Sequence, residues 1–346
     1  MHVQHDYARL LGLAGNLAFD FVESPALVGN ALGDSPTRPV ITYLPPGYDP
    51  NGSRQYPVLY CLHGYSGSAA ALVGASAWNL NVMQRIDRLI TRKAMPEALL
   101  VIVDGWTRLG GSQYVDSIHN GAYATYVVRD VIGHVDASFR TIAHAGGRAV
   151  FGKSSGGFGA MHLVMEHPGV FSAFASHSGD SYFRYNHPPA FAHLHRTLER
   201  WQWDMAAFVD SYTGKAKPTA AEFSTIEMLG YASAYSPLSA KPFDIALPID
   251  RATGEVDEAI FARWVAFDPL ERVAGKASEL AALRLRYLDC GRRDEYGLDI
   301  GARAVKRRLI ELGCEVQHEE FDDDHRNIGY RYEVSLPLLT NVLDHT

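Results

Sequence analysis

Cysteine is scarce in this chain: Cys61, Cys290 and Cys314 are the only three among 346 residues. Three scattered thiols do not make the disulfide framework of a small secreted scaffold. Cys61 and Cys290 lie in or just after apolar runs, where free cysteine packs as a core residue. Long apolar runs are also lacking, and none approaches the roughly 20 residues of a membrane-spanning helix. The best N-terminal candidate, Leu10 to Phe19, is short and contains Asn16, and Asp6 offsets Arg9 ahead of it. No signal peptide is therefore expected, and the thiol usage leans cytoplasmic, although secretion is compatible with a leader removed beforehand. Positive charge is not in excess: 32 Lys and Arg stand against 39 Asp and Glu, a net charge of −7. A nucleic-acid backbone is accordingly not the expected partner. Repeats and low-complexity tracts are absent. With 47% hydrophobic and 21% charged residues, wholesale disorder is excluded.

What the chain does contain is an alternation of short strand-like and longer helix-like runs. Strands are expected at Pro39–Leu44, Pro57–Leu62, Leu99–Val103, Ala149–Gly152, Phe171–Ser176, Leu283–Leu288 and Glu315–Phe321. Val58–Leu62 and Leu99–Val103 are apolar on both faces, as in a parallel strand covered from both sides. Helical spacing of apolar residues marks Leu80–Arg92, Tyr123–Phe139, Gly157–His167 and Leu298–Leu312. This order predicts a doubly wound α/β sheet. From 181 to 276 no strand is expected, only helical patterns around Ala190–Arg200 and Ala259–Trp264. Residues 1–180 and 277–346 then form the core, and 181–276 form a helical insertion, read as a lid because loops at the carboxyl ends of parallel strands face the site, with a helical buttress away from any ligand as the alternative.

The sharpest chemical signal is Gly152-Lys153-Ser154-Ser155-Gly156-Gly157. It fits G-x-S-x-G, follows a strand and opens a helix, the context of a nucleophile elbow. The sharp turn strains its central serine, and the flanking glycines leave no Cβ to clash with neighbouring backbone. Ser154 is the expected nucleophile, with Ser155 as the alternative register. A serine nucleophile needs an acid and then a histidine downstream in this chain order. Asp294, in the loop after the Leu283–Leu288 strand, is the chosen acid; Glu295 and Asp289 are its alternatives. His325, in the polar loop after the last strand, is the chosen base. The run Asp322–Asp324 beside it reads as a solvated acidic loop, with cation binding as the lesser reading. The oxyanion needs two amide donors. These are assigned to Ser155 N–H and to Tyr65 N–H in the loop Leu62-His63-Gly64-Tyr65, with Gly64 as the alternative, while His63 reads as structural. Trp106 and Tyr114, in the loop after a central strand, are candidates to line the substrate pocket, with ordinary loop packing held equally open. Arg140 reads as a loop anchor. His193 and His195, two apart on a helix, do not share a face and do not suggest zinc.

Four segments carry a family resemblance: Tyr43-Leu44-Pro45-Pro46-Gly47-Tyr48, Val58 through Gly64, Asp136 through Thr141, and the elbow. In these the chain resembles the esterase-D-type esterases of the α/β-hydrolase superfamily. That group includes feruloyl esterases, S-formylglutathione hydrolases, enterochelin-esterase-like enzymes and mycolyltransferases. The resemblance spans roughly 38–180 and 280–330 and stops short of the insertion. It implies an α/β-hydrolase fold, a serine ester hydrolase acting through Ser154, Asp294 and His325, and oxyanion donors at Tyr65 and Ser155. It implies no cofactor and no metal. The partner is a small-molecule ester, and a homodimer is a further expectation. One departure is visible: the family pattern has a hydrophobic residue, often Met, after the nucleophile, where this chain has Ser155. Thioester hydrolysis, acyl transfer and a non-catalytic binding role on the same fold are the competing readings.

Overall fold

The computed structural model describes residues 2–3 and 5–345. Nine strands among them form one sheet: β1 (His2–Val3), β2 (Asn16–Glu23), β3 (Thr37–Leu44), β4 (Val58–Leu62), β5 (Leu99–Val103), β6 (Arg148–Lys153), β7 (Ala173–His177), β8 (Leu285–Gly291) and β9 (Gln317–Phe321). Their spatial order is β1-β2-β3-β5-β4-β6-β7-β8-β9. From β5 onward every pairing is parallel. The three pairings from β1 to β5 are antiparallel. Parallel strands need long crossovers, and helices supply them on both faces. Successive residues of β4 therefore go to different cores. Val58, Tyr60 and Leu62 pack on one side of the sheet, Leu59 and Cys61 on the other. All three cysteines are buried and free.

The seven expected strands all form, with ends displaced by a residue or a few. β2, eight residues long, was not anticipated. It is an antiparallel strand whose residues alternate irregularly between buried and exposed, so Asp20 and Glu23 broke the apolar pattern. The expected helices form as α1 (Val82–Thr91), a helical stretch over 123–138, α2 (Ser155–Glu166) and α7 (Leu298–Glu311). A reciprocal box between Asn81 and Gln84 caps α1, satisfying two amides that have no helical partner.

Residues 181–276 hold α3 (Pro188–Arg200), α4 (Met205–Thr213), α5 (Ala220–Tyr235) and α6 (Glu258–Val265). α5 is the longest helix described and left no amphipathic signature, because residues 225 to 235 are buried nearly all round. Its apolar residues join Phe208 and Trp264 in a third core, which reaches the sheet through Leu109, Val115 and Phe158. α8 (Tyr332–Asn341) closes the chain against the face of the sheet lined by Phe151. No helix among the described residues is long and apolar enough to cross a membrane.

Candidate active site

Strand β6 ends in a corner so tight that two side chains are forbidden. A Cβ on Gly152 would lie 2.5 Å from the Leu62 carbonyl oxygen, and one on Gly156 only 2.1 Å from it. Between them Ser154 adopts φ 59° and ψ −127°, a strained conformation for a residue with a side chain. Backbone bonds hold it: Ser154 N–H donates to the His177 carbonyl (2.9 Å), and Phe158 N–H donates to Ser154 O (2.9 Å). The Ser154 hydroxyl is thereby fixed at the N-terminus of α2, over the carboxyl ends of the parallel strands.

His325 follows β9. Its Nε2 lies 3.1 Å from Ser154 Oγ and its Nδ1 2.8 Å from Asp294 Oδ2. Asp294 follows β8, and its other oxygen accepts from Tyr296 N–H (3.0 Å). Burial pushes the Asp294 carboxyl up, but the hydrogen bond and charge of His325, with the backbone donors, outweigh it and hold it below the usual carboxylate range. The alternatives for the acid have other positions. Glu295 Oε2 accepts the backbone N–H of His325 (2.9 Å), and Asp289 lies behind the elbow. The aspartates before His325 are engaged locally: Asp322 pairs with Arg293, Tyr330 donates to Asp323, and Arg326 N–H donates to Asp324.

Gly64 passes so close to the nucleophile that a Cβ there would lie 3.3 Å from Ser154 Cβ. This brings the Gly64–Tyr65 amides alongside Ser154. Among the described residues neither Tyr65 N–H nor Ser155 N–H has a protein acceptor, as a pair of oxyanion donors requires. His63 is structural: its Nδ1–H donates to Gly64 O (2.8 Å) and its Nε2 accepts from Gly105 N–H (2.8 Å). Arg140 anchors the loop at Pro50 through its guanidinium (2.9 Å).

Ser154, Asp294 and His325 open onto a cavity of about 1270 Å³ walled partly by 181–276, through residues such as His187, Tyr212 and Glu227. Two expected lining residues are not part of it. Tyr114 is 1% exposed, its ring wedged against Gly105 and Gly159 and its hydroxyl donating to His63 O (2.8 Å). Trp106 is 41% exposed, off the cavity, and its carbonyl accepts from Arg38 and Tyr123. Tyr114 is core packing, and the loop after β5 runs on past Tyr65, whose hydroxyl donates to Leu109 O (2.6 Å), leaving Trp106 at the surface. His193 faces the cavity, whereas His195 Nε2 is 3.1 Å from the Arg251 carbonyl, so the two histidines diverge.

Among the cavity residues that sequence reasoning missed are Asp180, Glu227 and Tyr231. Asp180 had a usable signal, since it follows the end of β7 as Ser154, Asp294 and His325 follow theirs. Glu227 stands as a lone charge among Ile226, Met228 and Leu229. A second serine–histidine–aspartate set was also missed. His177 Nδ1 is 2.7 Å from Asp289 and its Nε2 is 2.8 Å from Ser335 Oγ, all three fully buried.

A strained serine on a strand–turn–helix corner of a mostly parallel sheet, with histidine and aspartate at later strand ends, defines the α/β-hydrolase class. Within that class the chain belongs to the Putative esterase family, whose match covers residues 30–295 and so runs through the insertion as well. The resemblance read from the sequence stopped at the insertion. Esterase Rv1288 of Mycobacterium tuberculosis is 30% identical over 159 residues, 45% of this chain and 31% of that protein. The chain thus spans about a third of that relative's length. A ferulic acid esterase structure superposes with a TM-score of 0.60 at 18% identity, covering 96% of this chain and 100% of the other. An S-formylglutathione hydrolase from Agrobacterium tumefaciens gives 0.54 at 15% identity, covering 96% and 97%. At such identities both likenesses concern the fold.

Proposed function

We propose that the protein is a serine hydrolase of carboxylic esters. The observation that carries this reading is the chain of contacts from Ser154 Oγ to His325 Nε2 (3.1 Å) and from His325 Nδ1 to Asp294 (2.8 Å), at the wall of an open cavity. In this reading His325 takes the proton of Ser154 as Oγ attacks the ester carbonyl. Asp294, ionised, holds the imidazole in the Nδ1–H tautomer and stabilises the imidazolium. The tetrahedral oxyanion is received by Tyr65 N–H and Ser155 N–H; one such donor typically contributes ~3–4 kcal/mol to lowering the barrier. His325 then protonates the leaving alcohol. Water, deprotonated by His325, attacks the acyl-enzyme and releases the acid. The chemistry is complete with side chains and backbone amides, so it calls for no cofactor.

The experiment is kcat/KM over a panel of p-nitrophenyl esters from acetyl to octanoyl, methyl ferulate and S-formylglutathione, with Ser154→Ala as control. Turnover of at least one oxyester, lost in Ser154→Ala, is the expected result. A folded protein that hydrolyses no oxyester, and that a fluorophosphonate leaves unlabelled at Ser154, would overturn the reading. Faster turnover of S-formylglutathione than of every oxyester would replace it with thioester hydrolysis.

A further inference from the structure

One wall of the cavity is rich in hydrogen-bond acceptors and poor in donors. Asp180, 5% exposed, and Glu227, half-buried on α5, both face the cavity. The Tyr231 hydroxyl lies 3.3 Å from Asp180 Oδ2 and 3.5 Å from Glu227 Oε1, and its one proton serves one carboxylate at a time. Ser155 Oγ offers Asp180 a further bond (3.4 Å) while accepting from Gln113 (2.9 Å). An apolar residue after the nucleophile would not provide that link.

The other acids of the cavity have partners: Asp294 has His325, Glu295 has Arg326 and Asp299 has Arg303. Among the described residues no cation lies within ion-pair distance of Asp180 or Glu227; Lys153, on the same cavity, feels the charges of Asp294, Asp180 and Glu295 from farther off. His187, 4% exposed, lines the cavity with its ring 4.9 Å from that of Tyr231, and its Nε2 has no hydrogen-bond partner. Asn186 Oδ1, on the same wall, is also unpartnered. Burial drives His187 down to about 3, so it is neutral and does not supply the missing cation. Burial raises Asp180 to about 6 against the opposing charge of His325, and burial with the Asp180 charge raises Glu227 to about 8.

We propose that this wall is a specificity subsite for a protonated primary amine carried by the ester substrate, its N–H groups directed to Asp180 and Glu227 beside Asn186 and His187. A hydroxyl would donate one bond and neutralise neither carboxylate. An ammonium donates three and brings the compensating charge, with the Tyr231 and Tyr65 rings close by to favour a cation. The inference rests on the reading of Ser154 as the nucleophile of an esterase.

Two matched pairs of esters test it. p-Nitrophenyl 6-aminohexanoate against p-nitrophenyl heptanoate places the charge on the acyl side; 4-(aminomethyl)phenyl acetate against 4-ethylphenyl acetate places it on the alcohol side. Charge-assisted hydrogen bonds predict a preference for the cationic member of one pair of about tenfold or more in kcat/KM. Glu227→Gln and Asp180→Asn should each collapse that ratio, which the neutral ester normalises. Where a variant fails to fold, the wild type still decides: hexylammonium should inhibit neutral-ester turnover at a concentration about tenfold or more below that of 1-hexanol. Ratios near one on both pairs, a preference that survives both substitutions, or equal inhibition by amine and alcohol would overturn the subsite. Loss of turnover on all four esters would instead count against the esterase reading, and hexylammonium binding by calorimetry, with 1-hexanol as control, would then decide the subsite alone.

Discussion

Two serine–histidine–aspartate sets sit back to back in this molecule, one on each side of the nucleophile corner. In front, Ser154, His325 and Asp294 meet at a cavity. Behind, Ser335, His177 and Asp289 make contacts at least as short, 2.8 and 2.7 Å, with no opening to solvent. The rear set is bound to the front one: Ser154 N–H donates to the carbonyl of His177. Hydrogen-bond geometry within three side chains therefore does not separate the two sets. Three further features do. The front serine is on strained backbone, has free amide donors beside it and faces a space that a substrate can enter. The rear serine is on an ordinary turn of α8, and its aspartate also binds Arg331 (2.9 Å) and Tyr287 (3.0 Å). The rear set fixes the backbone behind the elbow.

The largest contrast should come from the serines. Ser154→Ala is expected to lower kcat on p-nitrophenyl acetate by about 10⁴-fold or more with an unchanged melting temperature. Ser335→Ala is expected to keep kcat within about tenfold but to lower stability by about 1–3 kcal/mol, because it leaves His177 Nε2 buried and unpaired. A Ser335→Ala protein as inactive as Ser154→Ala would erase the distinction. The aspartates sharpen it. Asp294→Asn should reduce kcat by about 10²–10⁴-fold through the wrong imidazole tautomer. Asp289→Asn should destabilise by about 3–5 kcal/mol in urea unfolding, by breaking a buried charged pair with Arg331.

The acid limb of stability tests the rear set again. Burial pushes Asp289 up, but the charges and hydrogen bonds of His177 and Arg331 outweigh it and hold it below its ordinary 3.8. Its contribution is then present above that value and is lost as pH falls through the depressed one. Asp289→Asn should flatten the melting temperature below about pH 4. Glu227 has the opposite sign. Raised from 4.5 to about 8, it withdraws stability as pH climbs between those values. Glu227→Gln should therefore melt above the wild type at pH 8 and converge with it near pH 4.5. The smallest effect is expected at Trp106, where Trp106→Ala should change kcat/KM by less than about threefold, as at a surface loop away from the cavity.

Much of the front site was legible because its parts sit where chain order and secondary structure converge. Gly152 through Gly157 announces a corner by its glycines, and Asp294 and His325 each follow a strand whose apolar run is easy to read. The rear set had no such marker. His177 is the last residue of β7, and Ser335 lies in a helix that carries Pro337 in its interior, which blurs its helical signal. Their approach depends on α8 packing across the sheet. Tyr114 shows the reverse error: an aromatic in a loop near the site was a candidate for the pocket, but the gap left by Gly105 and Gly159 drew its ring into the core. α5 escaped because a helix buried on all sides has no polar face to set its period.

Residue pattern alone determined the parallel half of the sheet and the corner that strains Ser154. These follow from local rules: apolar runs bury themselves, glycine admits close backbone, and parallel strands demand helical crossovers. Only the tertiary structure decided which of two serine–histidine–aspartate sets meets solvent, which aromatics line the cavity, and that Asp180 and Glu227 face each other across Tyr231. Those facts depend on how helices from 181–276 and the last helix settle on the sheet. Such docking is governed by the shape and burial of many side chains at once, and no short stretch of sequence encodes it.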